Sequence, residues 1–405
     1  MKIIYLHQYF NTPQMAGGTR SYEMARRMVS AGHEVHIVTS WRKPTESNAW
    51  VHEVIDGINV HWLPIPYDNA MSYRDRVRAF IKFAFHCGGK ARSIGADVVF
   101  ATSTPLTIVV PGYYASRRLG CPMVFEVRDL WPELPIAIGA LKNPIMKMSM
   151  RLFERFAYRS SSRVVALSPG MADGVAKAGY PLDRIHVVPN SCDNELFKPN
   201  KASSNRFRRA HPELGTGPIV LYAGTFGKIN GVDFLVELAA KLLRIDPSVK
   251  FLAIGRGAEF DKVRSKAKEL GVLGKNYFQY MSMPKEELVS AIHAADICTS
   301  LFVDIPEMEN NSANKFFDAL AAGRPVAINY GGWHRDLIAR YSIGIHLSRD
   351  IDAAAASLSR FLKDGNKLQK ASKNARQLAL EEFDRDRLSG KLIRVLQDAY
   401  DENMS

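Results

Sequence analysis

Short apolar runs alternate along the chain with segments in which apolar residues recur every three or four positions. In the first half the apolar runs fall at residues 2–6, 96–101, 123–127 and 163–167. An amphipathic segment at 19–30 follows the first run. This alternation predicts parallel strands covered by helices. The second half repeats it, with runs at 219–223, 251–254, 297–301 and 326–329. Two such series predict an α/β protein with two doubly wound parallel-sheet domains.

The chain has 405 residues, which is too long for one ordinary hydrophobic core and also favours two domains. A polar, basic segment at 190–217 separates the two series and predicts an interdomain linker. We therefore expect an N-terminal domain at 1–195 and a C-terminal domain at 196–385. The amphipathic pattern of residues 386–405 predicts a final helix that packs back on the first domain.

Charge changes this picture, because 54 Lys and Arg residues against 41 Asp and Glu residues leave a net charge of +13. Such an excess favours an anionic partner, whether nucleic acid, a phosphorylated ligand or an acidic membrane. A generally basic surface without a dedicated partner is the alternative. The four cysteines lack metal-ligand spacing and favour a reducing compartment. No run approaches the roughly 20 apolar residues of a spanning helix, and the N-terminus lacks the features of a signal peptide.

Two stretches mix basic residues with aromatic residues or methionines at helical spacing, at 73–86 and 142–159. Such a helix face can lie on an acidic bilayer. The alternative is a core face with a solvated back.

Glycines follow or precede predicted secondary structure at three places. Gly17 and Gly18 precede the first helix, a loop at 224–228 ends in Lys228, and a loop at 255–257 carries Arg256. Glycine lets the backbone approach a phosphate, and a helix N-terminus attracts an anion. The alternatives are ordinary turns with an exposed lysine and a solvated arginine. Three weak signals at the ends of strands support one another as an anion site.

The segment 310–326 predicts a helix that leads into a strand. Ser312 is the predicted N-cap, because its hydroxyl can accept a backbone N–H of the first turn. Asn311, Lys315 and Asp318 recur at i, i+4 and i+7 and so share one face. A helix with this face can bind an anion at its N-terminus and hydroxyl groups along its side, which is how a nucleotide sugar would be held.

Four charged residues lie at the end of the predicted strand 123–127. Glu126 is within the strand, and Arg128, Asp129 and Glu133 follow it. Opposite charges at the carboxyl end of a strand can bind sugar hydroxyls or transfer a proton. The alternative is an internal pair of Arg128 with a carboxylate that anchors the loop.

With these residues in place, the chain resembles glycosyltransferase family 4, a retaining, nucleotide-sugar-dependent class. Residues 185–191 resemble the family's I-x-V-I-P-N-G segment, and residues 318–326 resemble its E-A-M-A-x-G-x-P-V signature. The resemblance implies the GT-B fold, in which two Rossmann-like domains face a cleft. Residues 128–132 and 314–317 resemble a subgroup of bacterial O-antigen enzymes that includes transferases of the L-fucosamine (L-FucNAc) type.

The resemblance also implies roles for individual residues. Asp318 stands at the second of two family glutamates and would bond the ribose hydroxyls. Asn310 stands at the first, which meets the donor sugar, and Glu309 is its acidic neighbour. The family's diphosphate-binding Arg and Lys are altered, because Thr225 stands where Arg is common and Asn230 lies close to where the Lys is expected before Gly231.

The cations expected at the diphosphate are therefore Lys228 and Lys315, with Arg256 also available. Asp129 aligns roughly with a family histidine near the reaction centre. The expected catalytic residues are Asp129, Lys228, Glu309 and Asn310. The expected donor-binding residues are Gly17, Gly18, Gly224, Thr225, Gly227, Lys228, Arg256, Asn311, Ser312, Lys315 and Asp318.

The activity implied is retaining transfer of a sugar, such as N-acetyl-L-fucosamine or another N-acetylated sugar, from a UDP-sugar. The implied acceptor is a saccharide on a polyisoprenoid diphosphate, at the inner face of the cytoplasmic membrane. We expect neither a metal nor a tightly bound cofactor. We also expect no nucleic-acid partner. The alternatives are a UDP-sugar 2-epimerase of the same fold and a basic, non-catalytic protein that binds nucleic acid or membrane.

Overall fold

The computed structural model describes residues 1–15, 17–43, 49–67 and 71–405, and the chain divides into two compact units. Unit 1 comprises Met1–Pro189 and Asp386–Ser405, and unit 2 comprises Asn190–Arg385.

Unit 1 contains a sheet of eight strands in the order β3-β4-β2-β1-β5-β6-β7-β8. All neighbouring strands are parallel except β3 and β4, which form an antiparallel hairpin at one edge. Helices cover the sheet, and the central strand β1 is almost entirely buried, which explains its continuous apolar run. The strands are β1 (Lys2–Leu6), β2 (Glu34–Trp41), β3 (Val51–Ile55), β4 (Ile58–Pro64), β5 (Val98–Thr102), β6 (Met123–Val127), β7 (Arg163–Ala166) and β8 (Ile185–Val187).

The helices of unit 1 include two with side-chain caps. Ser72 accepts the backbone N–H of Asp75, and Asn143 accepts that of Ile145. The helices are α1 (Arg20–Ser30), α2 (Tyr73–Ile94), α3 (Val109–Leu119), α4 (Glu133–Ala137), α5 (Pro144–Arg159) and α6 (Pro169–Lys177).

Unit 2 contains a parallel sheet of six strands in the order β11-β10-β9-β12-β13-β14. Two parallel, helix-covered sheets confirm the predicted α/β class with two Rossmann-like domains. The strands are β9 (Ile219–Ala223), β10 (Lys250–Ile254), β11 (Tyr277–Tyr280), β12 (Ile297–Ser300), β13 (Val326–Ile328) and β14 (Gly344–His346). The helices are α7 (Lys201–Ala210), α8 (Asp233–Ile245), α9 (Phe260–Glu269), α10 (Lys285–Ala294), α11 (Asn314–Ala321), α12 (Trp333–Tyr341), α13 (Ile351–Lys363) and α14 (Gly365–Glu381).

The segment predicted as a linker, 190–217, is instead largely part of unit 2. Its helix α7 is capped by Asn200, buries Phe207, and is tied to the sheet because Arg208 donates to Asp296 at 2.9 Å. Its polar composition reflects the exposed face of this helix. Residues 190–195, predicted to lie in the first domain, also group with unit 2.

The C-terminal helix (Arg385–Met404) contacts unit 1 at several places. Arg163 donates to Glu402 at 2.6 Å, Asn403 donates to the Gly120 carbonyl at 3.1 Å, and Arg27 pairs with Asp386. Within the described ranges, no helix combines the length and the apolar character needed to cross a bilayer.

Candidate functional site

Two loops lie side by side at the carboxyl edge of the unit 2 sheet, after β9 and β10. The Gly224 N–H donates to the Ile254 carbonyl at 2.9 Å, and the Phe226 N–H donates to the Arg256 carbonyl at 2.9 Å. A Cβ on Gly255 would lie 1.8 Å from the Gly224 carbonyl oxygen. Packing of one loop against the other therefore requires glycine at position 255. It also brings the predicted residues Gly224 and Arg256 together, with the Arg256 side chain exposed.

The loop after β9 is stabilised from within. The Tyr222 hydroxyl donates to the Thr225 carbonyl at 2.6 Å, and the Gly227 N–H donates to Asn230 Oδ1 at 3.2 Å. Thr225 and Lys228 are exposed. In the part of the chain that the structure describes, the Lys228 amine makes no hydrogen bond or ion pair. Its charge is therefore available to a ligand.

Lys315 extends from α11 to the same loop. Its half-buried side chain places Nζ 3.2 Å from the Tyr222 hydroxyl and 4.5 Å from the centroid of the Tyr222 ring, with the Phe302 ring at 5.5 Å. A Cβ on Gly224 would lie 3.3 Å from Nζ. Burial lowers the pKa of Lys315 to about 7. No carboxylate among the described residues forms an ion pair with this amine.

Asp318 lies one turn after Lys315 on α11 and is also half-buried. Its carboxylate accepts no hydrogen bond from the residues that the structure describes. Burial raises its pKa to about 7, although Arg385 and Lys285 act in the opposite direction. Polar groups inside proteins are usually paired, so this unpaired carboxylate is in the state expected of a ligand-binding group.

Ser312 does not cap the helix, and the prediction that it does is wrong. The Ser312 hydroxyl accepts the Asn190 N–H at 3.1 Å. The helix α11 begins at Asn314, and its N-cap residue is Ala313, whose side chain cannot accept a hydrogen bond. The neighbouring Asn311 side chain is also engaged, because its Oδ1 accepts the Ala313 N–H at 3.1 Å and its amide donates to Met308. Both side chains hold the loop in place, and their contact with the donor stays a prediction.

Glu309 and Asn310 end a short 3₁₀ turn, Pro306–Asn310. Glu309 is exposed, and a Cβ on Gly331 would lie 2.6 Å from its Oε1. The carboxylate therefore packs against the loop that follows β13. Asn310 is half-buried beside it. That Glu309 or Asn310 contacts the donor sugar stays a prediction.

In unit 1, the buried ion pair at the end of β6 is formed by Glu126 and Arg20. Arg20 donates to Glu126 Oε1 from Nε at 3.1 Å and from Nη2 at 2.9 Å, and it also donates to the carbonyls of Val188 and Pro189. Arg128 forms no ion pair with a carboxylate of the described residues, so the alternative of an internal Arg128 pair that anchors the loop is wrong. Glu126 lies inside a buried strand, and this position was the signal that it needs a buried cation.

Asp129 accepts a hydrogen bond from the Thr104 hydroxyl at 3.1 Å. Burial raises the pKa of Asp129, while Arg128 and this hydrogen bond act in the opposite direction. Gly17 and Gly18 are exposed, and a Cβ on Gly17 would lie 2.7 Å from the Asn11 Nδ2 atom. Gly17 also has a φ of +130°, a conformation that other residues rarely adopt, so the local backbone favours glycine there whatever the loop binds.

The predicted residues therefore occupy two separate edges. Unit 2 brings together Gly224, Thr225, Gly227, Lys228, Arg256, Lys315 and Asp318, and unit 1 carries Gly17, Gly18 and Asp129. Within the described ranges, no group of three His, Cys, Asp or Glu side chains is arranged to hold a metal ion.

Comparison with known proteins gives the class. Residues 16–191 match the family "Glycosyl transferase 4-like domain", and residues 203–378 match the family "Glycosyl transferases group 1". The crystal structure of Anabaena HepE in complex with UDP-glucose superposes with a TM-score of 0.71 and 16% identity, covering 98% of this chain and 100% of that one. By its domains and fold, the chain belongs to the glycosyltransferases of the GT-B type.

Two curated relatives illustrate the range of similarity. A D-inositol 3-phosphate glycosyltransferase of Segniliparus rotundus is 27% identical over 233 residues, which cover 55% of this chain and 49% of that protein. The putative colanic acid biosynthesis glycosyl transferase WcaI of Escherichia coli is 21% identical over 293 residues, covering 67% of this chain and 70% of WcaI. The chain thus spans about half the length of the first relative. The closer resemblance to L-fucosamine transferases stays a prediction.

Proposed function

We propose that this protein transfers a sugar from a UDP-sugar to an acceptor with retention at the anomeric carbon, and that unit 2 binds the donor. One observation carries the proposal: Lys315 and Asp318 lie one helical turn apart at the carboxyl edge of the sheet, and neither forms an ion pair with a described residue. Ligands of open α/β sheets bind at this edge.

Lys315 fits the donor diphosphate. Asn230, close to where the resemblance to family 4 implies a lysine, is buried and accepts the Gly227 N–H, and its amide supplies no charge. Lys315 reaches the same loop from α11, with Lys228 as an exposed second cation. Positive charge at this point would stabilise the leaving phosphate as the glycosidic bond breaks.

Asp318 fits the ribose. An ionised carboxylate has only acceptor sites, and a ribose offers two adjacent hydroxyl donors. Together, Lys315 and Asp318 would bind the diphosphate and the ribose of one nucleotide from a single helix, α11. That HepE is crystallised with UDP-glucose supports UDP as the nucleotide.

The proposed donor sugar is N-acetyl-L-fucosamine or another N-acetylated sugar, and the proposed pathway is assembly of a bacterial surface polysaccharide such as an O-antigen. The name of WcaI, a putative colanic acid biosynthesis enzyme, supports this class of product. The acceptor would be a saccharide on a polyisoprenoid diphosphate.

A lipid-linked acceptor requires access to a membrane, and unit 1 exposes apolar side chains next to basic ones. On α2, Phe85 is 82% exposed and Ile81 is 60% exposed; on α5, Ile145 is 76% exposed and Leu152 is 56% exposed. Each of these helices also carries Lys or Arg on its surface. We therefore propose that this surface of unit 1 lies on the anionic inner face of the cytoplasmic membrane.

Vesicle flotation tests the membrane proposal. The wild type should float with vesicles that contain anionic lipid, and a Phe85→Glu, Leu152→Glu double variant should not. Leu270→Glu, an exposed apolar position in unit 2, is the matched control and should float normally. If the wild type floats with neither anionic nor neutral vesicles, the membrane proposal is wrong.

A donor panel tests the activity. UDP release is measured for several UDP-sugars with a lipid-linked N-acetylhexosamine as acceptor. Acceptor-dependent UDP release that is lost in Lys315→Ala and Asp318→Ala supports the proposal. Acceptor-independent conversion of UDP-N-acetylglucosamine to an epimer would instead identify the 2-epimerase.

A further inference from the structure

The carboxyl edge of the unit 1 sheet gathers three residues that the proposed donor site does not use. Arg42 follows the end of β2, His7 follows the end of β1, and Arg128 follows the end of β6. In the sheet, β2 is adjacent to β1, and only β5 lies between β1 and β6. Because these strands are parallel, their carboxyl ends lie on one edge, where open α/β sheets bind ligands.

His7 is buried and has one ring nitrogen without a partner. Arg128 Nη1 lies 3.4 Å from His7 Nε2. Arginine can only donate, so Nε2 is the acceptor and the proton of the neutral ring is on Nδ1. Burial, Arg128 and Arg42 all lower the pKa of His7, which keeps the ring neutral. Its Nδ1 is buried and unpaired, so this edge contains a buried N–H donor without an acceptor.

Among the described residues, Arg42 and Arg128 make no ion pair at salt-bridge distance, although Glu126 and Asp129 interact with Arg128 from further away. Arg42 donates to Asn11 Oδ1, and Asn11 donates in turn to the Gly18 carbonyl at 3.2 Å. Neither arginine forms an ion pair with a carboxylate of the described residues, whereas Arg20 at the same edge is fully paired with Glu126. Two half-buried guanidinium groups and an unpaired N–H donor make a site suited to an anion.

We propose that Arg42, Arg128 and the Nδ1–H of His7 bind the phosphate groups of the acceptor. This inference rests on the proposed function, because it names the class of acceptor: an organic diphosphate. Planar guanidinium groups match phosphate oxygens in pairs, and the neutral imidazole adds one further donor. Asp129, hydrogen-bonded to Thr104 beside this cluster, is placed to accept from a hydroxyl of the same ligand.

Direct binding tests this site without requiring any transfer reaction. The full-length protein is saturated with UDP, to occupy the proposed donor site, and is then titrated with inorganic pyrophosphate by calorimetry. We expect wild-type binding, and binding weaker by about ten- to a hundredfold in Arg42→Ala and in Arg128→Ala, because each loses a charged hydrogen-bond donor. Arg78→Ala, an exposed arginine on α2, is the matched control and should bind as the wild type does.

Folding is checked in parallel. Arg128→Lys keeps the charge and should recover part of the affinity, and each variant should retain the wild-type UDP affinity and unfolding midpoint. The site assignment is wrong if UDP-saturated wild-type protein binds no pyrophosphate, or if Arg42→Ala and Arg128→Ala bind it as tightly as the wild type.

A second arm separates acceptor phosphate from donor phosphate. The saccharide acceptor is offered on a diphosphate-linked lipid and on a neutral alkyl chain. The wild type should have the lower KM for the diphosphate form, and Arg128→Ala should lose this preference while its KM for the UDP-sugar stays unchanged. A rise in the KM for the UDP-sugar alone would assign Arg128 to the donor and overturn the proposal. If no transfer occurs at all, the proposed function fails, and the pyrophosphate titration still decides the site.

Discussion

At the carboxyl edge of the unit 1 sheet, Arg20 and Glu126 form a buried pair in which every charge has a partner. At the carboxyl edge of the unit 2 sheet, Lys315 and Asp318 are half-buried, and neither forms an ion pair with a residue that the structure describes. Burial shifts the pKa values of Lys315 and Asp318 to about 7. We infer two uses of buried charge from this difference: paired groups stabilise the fold, and the unpaired groups form the proposed donor site.

The largest expected effect is a loss of stability when the buried Arg20–Glu126 pair is broken. Arg20→Ala would leave the Glu126 carboxylate buried without a cation, which should lower the free energy of unfolding by about 3–5 kcal/mol. Urea unfolding followed by circular dichroism measures this. Arg78→Ala removes an exposed pair with Asp75 and should cost less than about 1 kcal/mol. Equal losses in the two variants would contradict the structural role of Arg20.

Substitution of the unpaired Lys315 should lower ligand affinity and not stability. Lys315→Met keeps the apolar stem and removes the charge, so UDP affinity should fall by about ten- to a hundredfold. Stability should be retained or increased, because a desolvated ammonium group is removed. Calorimetric titration with UDP and urea unfolding give the two readings. Unchanged UDP affinity would exclude Lys315 from the donor site.

Asp318→Asn should sharpen the assignment on the same helix. We expect UDP affinity to fall by about tenfold, because an amide accepts fewer hydrogen bonds from the ribose than a carboxylate does. Titration with 2′-deoxy-UDP is the control, and the variant should lose much less affinity for it than for UDP. A loss of equal size for both nucleotides would mean that Asp318 does not contact the 2′-hydroxyl.

The pH dependence of binding follows from the lowered pKa of Lys315. In the proposed donor site the protonated amine would bind the diphosphate. The pKa of Lys315 is about 7, so its charged fraction falls as pH rises above 7. Affinity for UDP-glucose should therefore fall from about pH 7 upward, by at most tenfold per pH unit. Lys315→Arg stays charged throughout this range and should remove the fall above pH 7. Protonation of Asp318, whose pKa is also about 7, should still weaken binding below pH 7 in this variant. Persistence of the fall above pH 7 in that variant would assign it to another group.

Lys228→Ala should have the smallest effect. This lysine is exposed, so water and salt screen its charge, and we expect a loss in UDP binding of about 1 kcal/mol or less. The loss should shrink further when UDP is titrated at high salt. An effect as large as that of Lys315→Met would reverse the ranking of the two cations.

The sequence was sufficient for the parts of the fold that depend on local pattern. The apolar runs become the strands of two parallel sheets, and Phe316, Phe317 and Leu320 form the buried stripe of α11. The end of that helix was also predictable, because Gly323 adopts φ of +61° after it.

What the sequence could not provide were choices among distant partners. Ser312 is a good helix cap by its residue type, but its hydroxyl is engaged by Asn190, far away along the chain. Arg128 is next to two carboxylates in sequence, yet the buried partner of Glu126 is Arg20, 106 residues away. Local patterns carry no information about such pairings. Similarly, the basic composition of residues 201–210 did not indicate the helix α7, in which Phe207 is the buried residue.

The central claim is that unpaired charge at the unit 2 edge binds the nucleotide, while paired charge at the unit 1 edge holds the fold. Titration of UDP into the wild type, Lys315→Met and Arg20→Ala tests it most directly, under conditions where all three are folded. The account predicts that Lys315→Met loses most of its UDP affinity and that Arg20→Ala binds UDP as the wild type does. Wild-type affinity in Lys315→Met, or an equal loss in both variants, would contradict it.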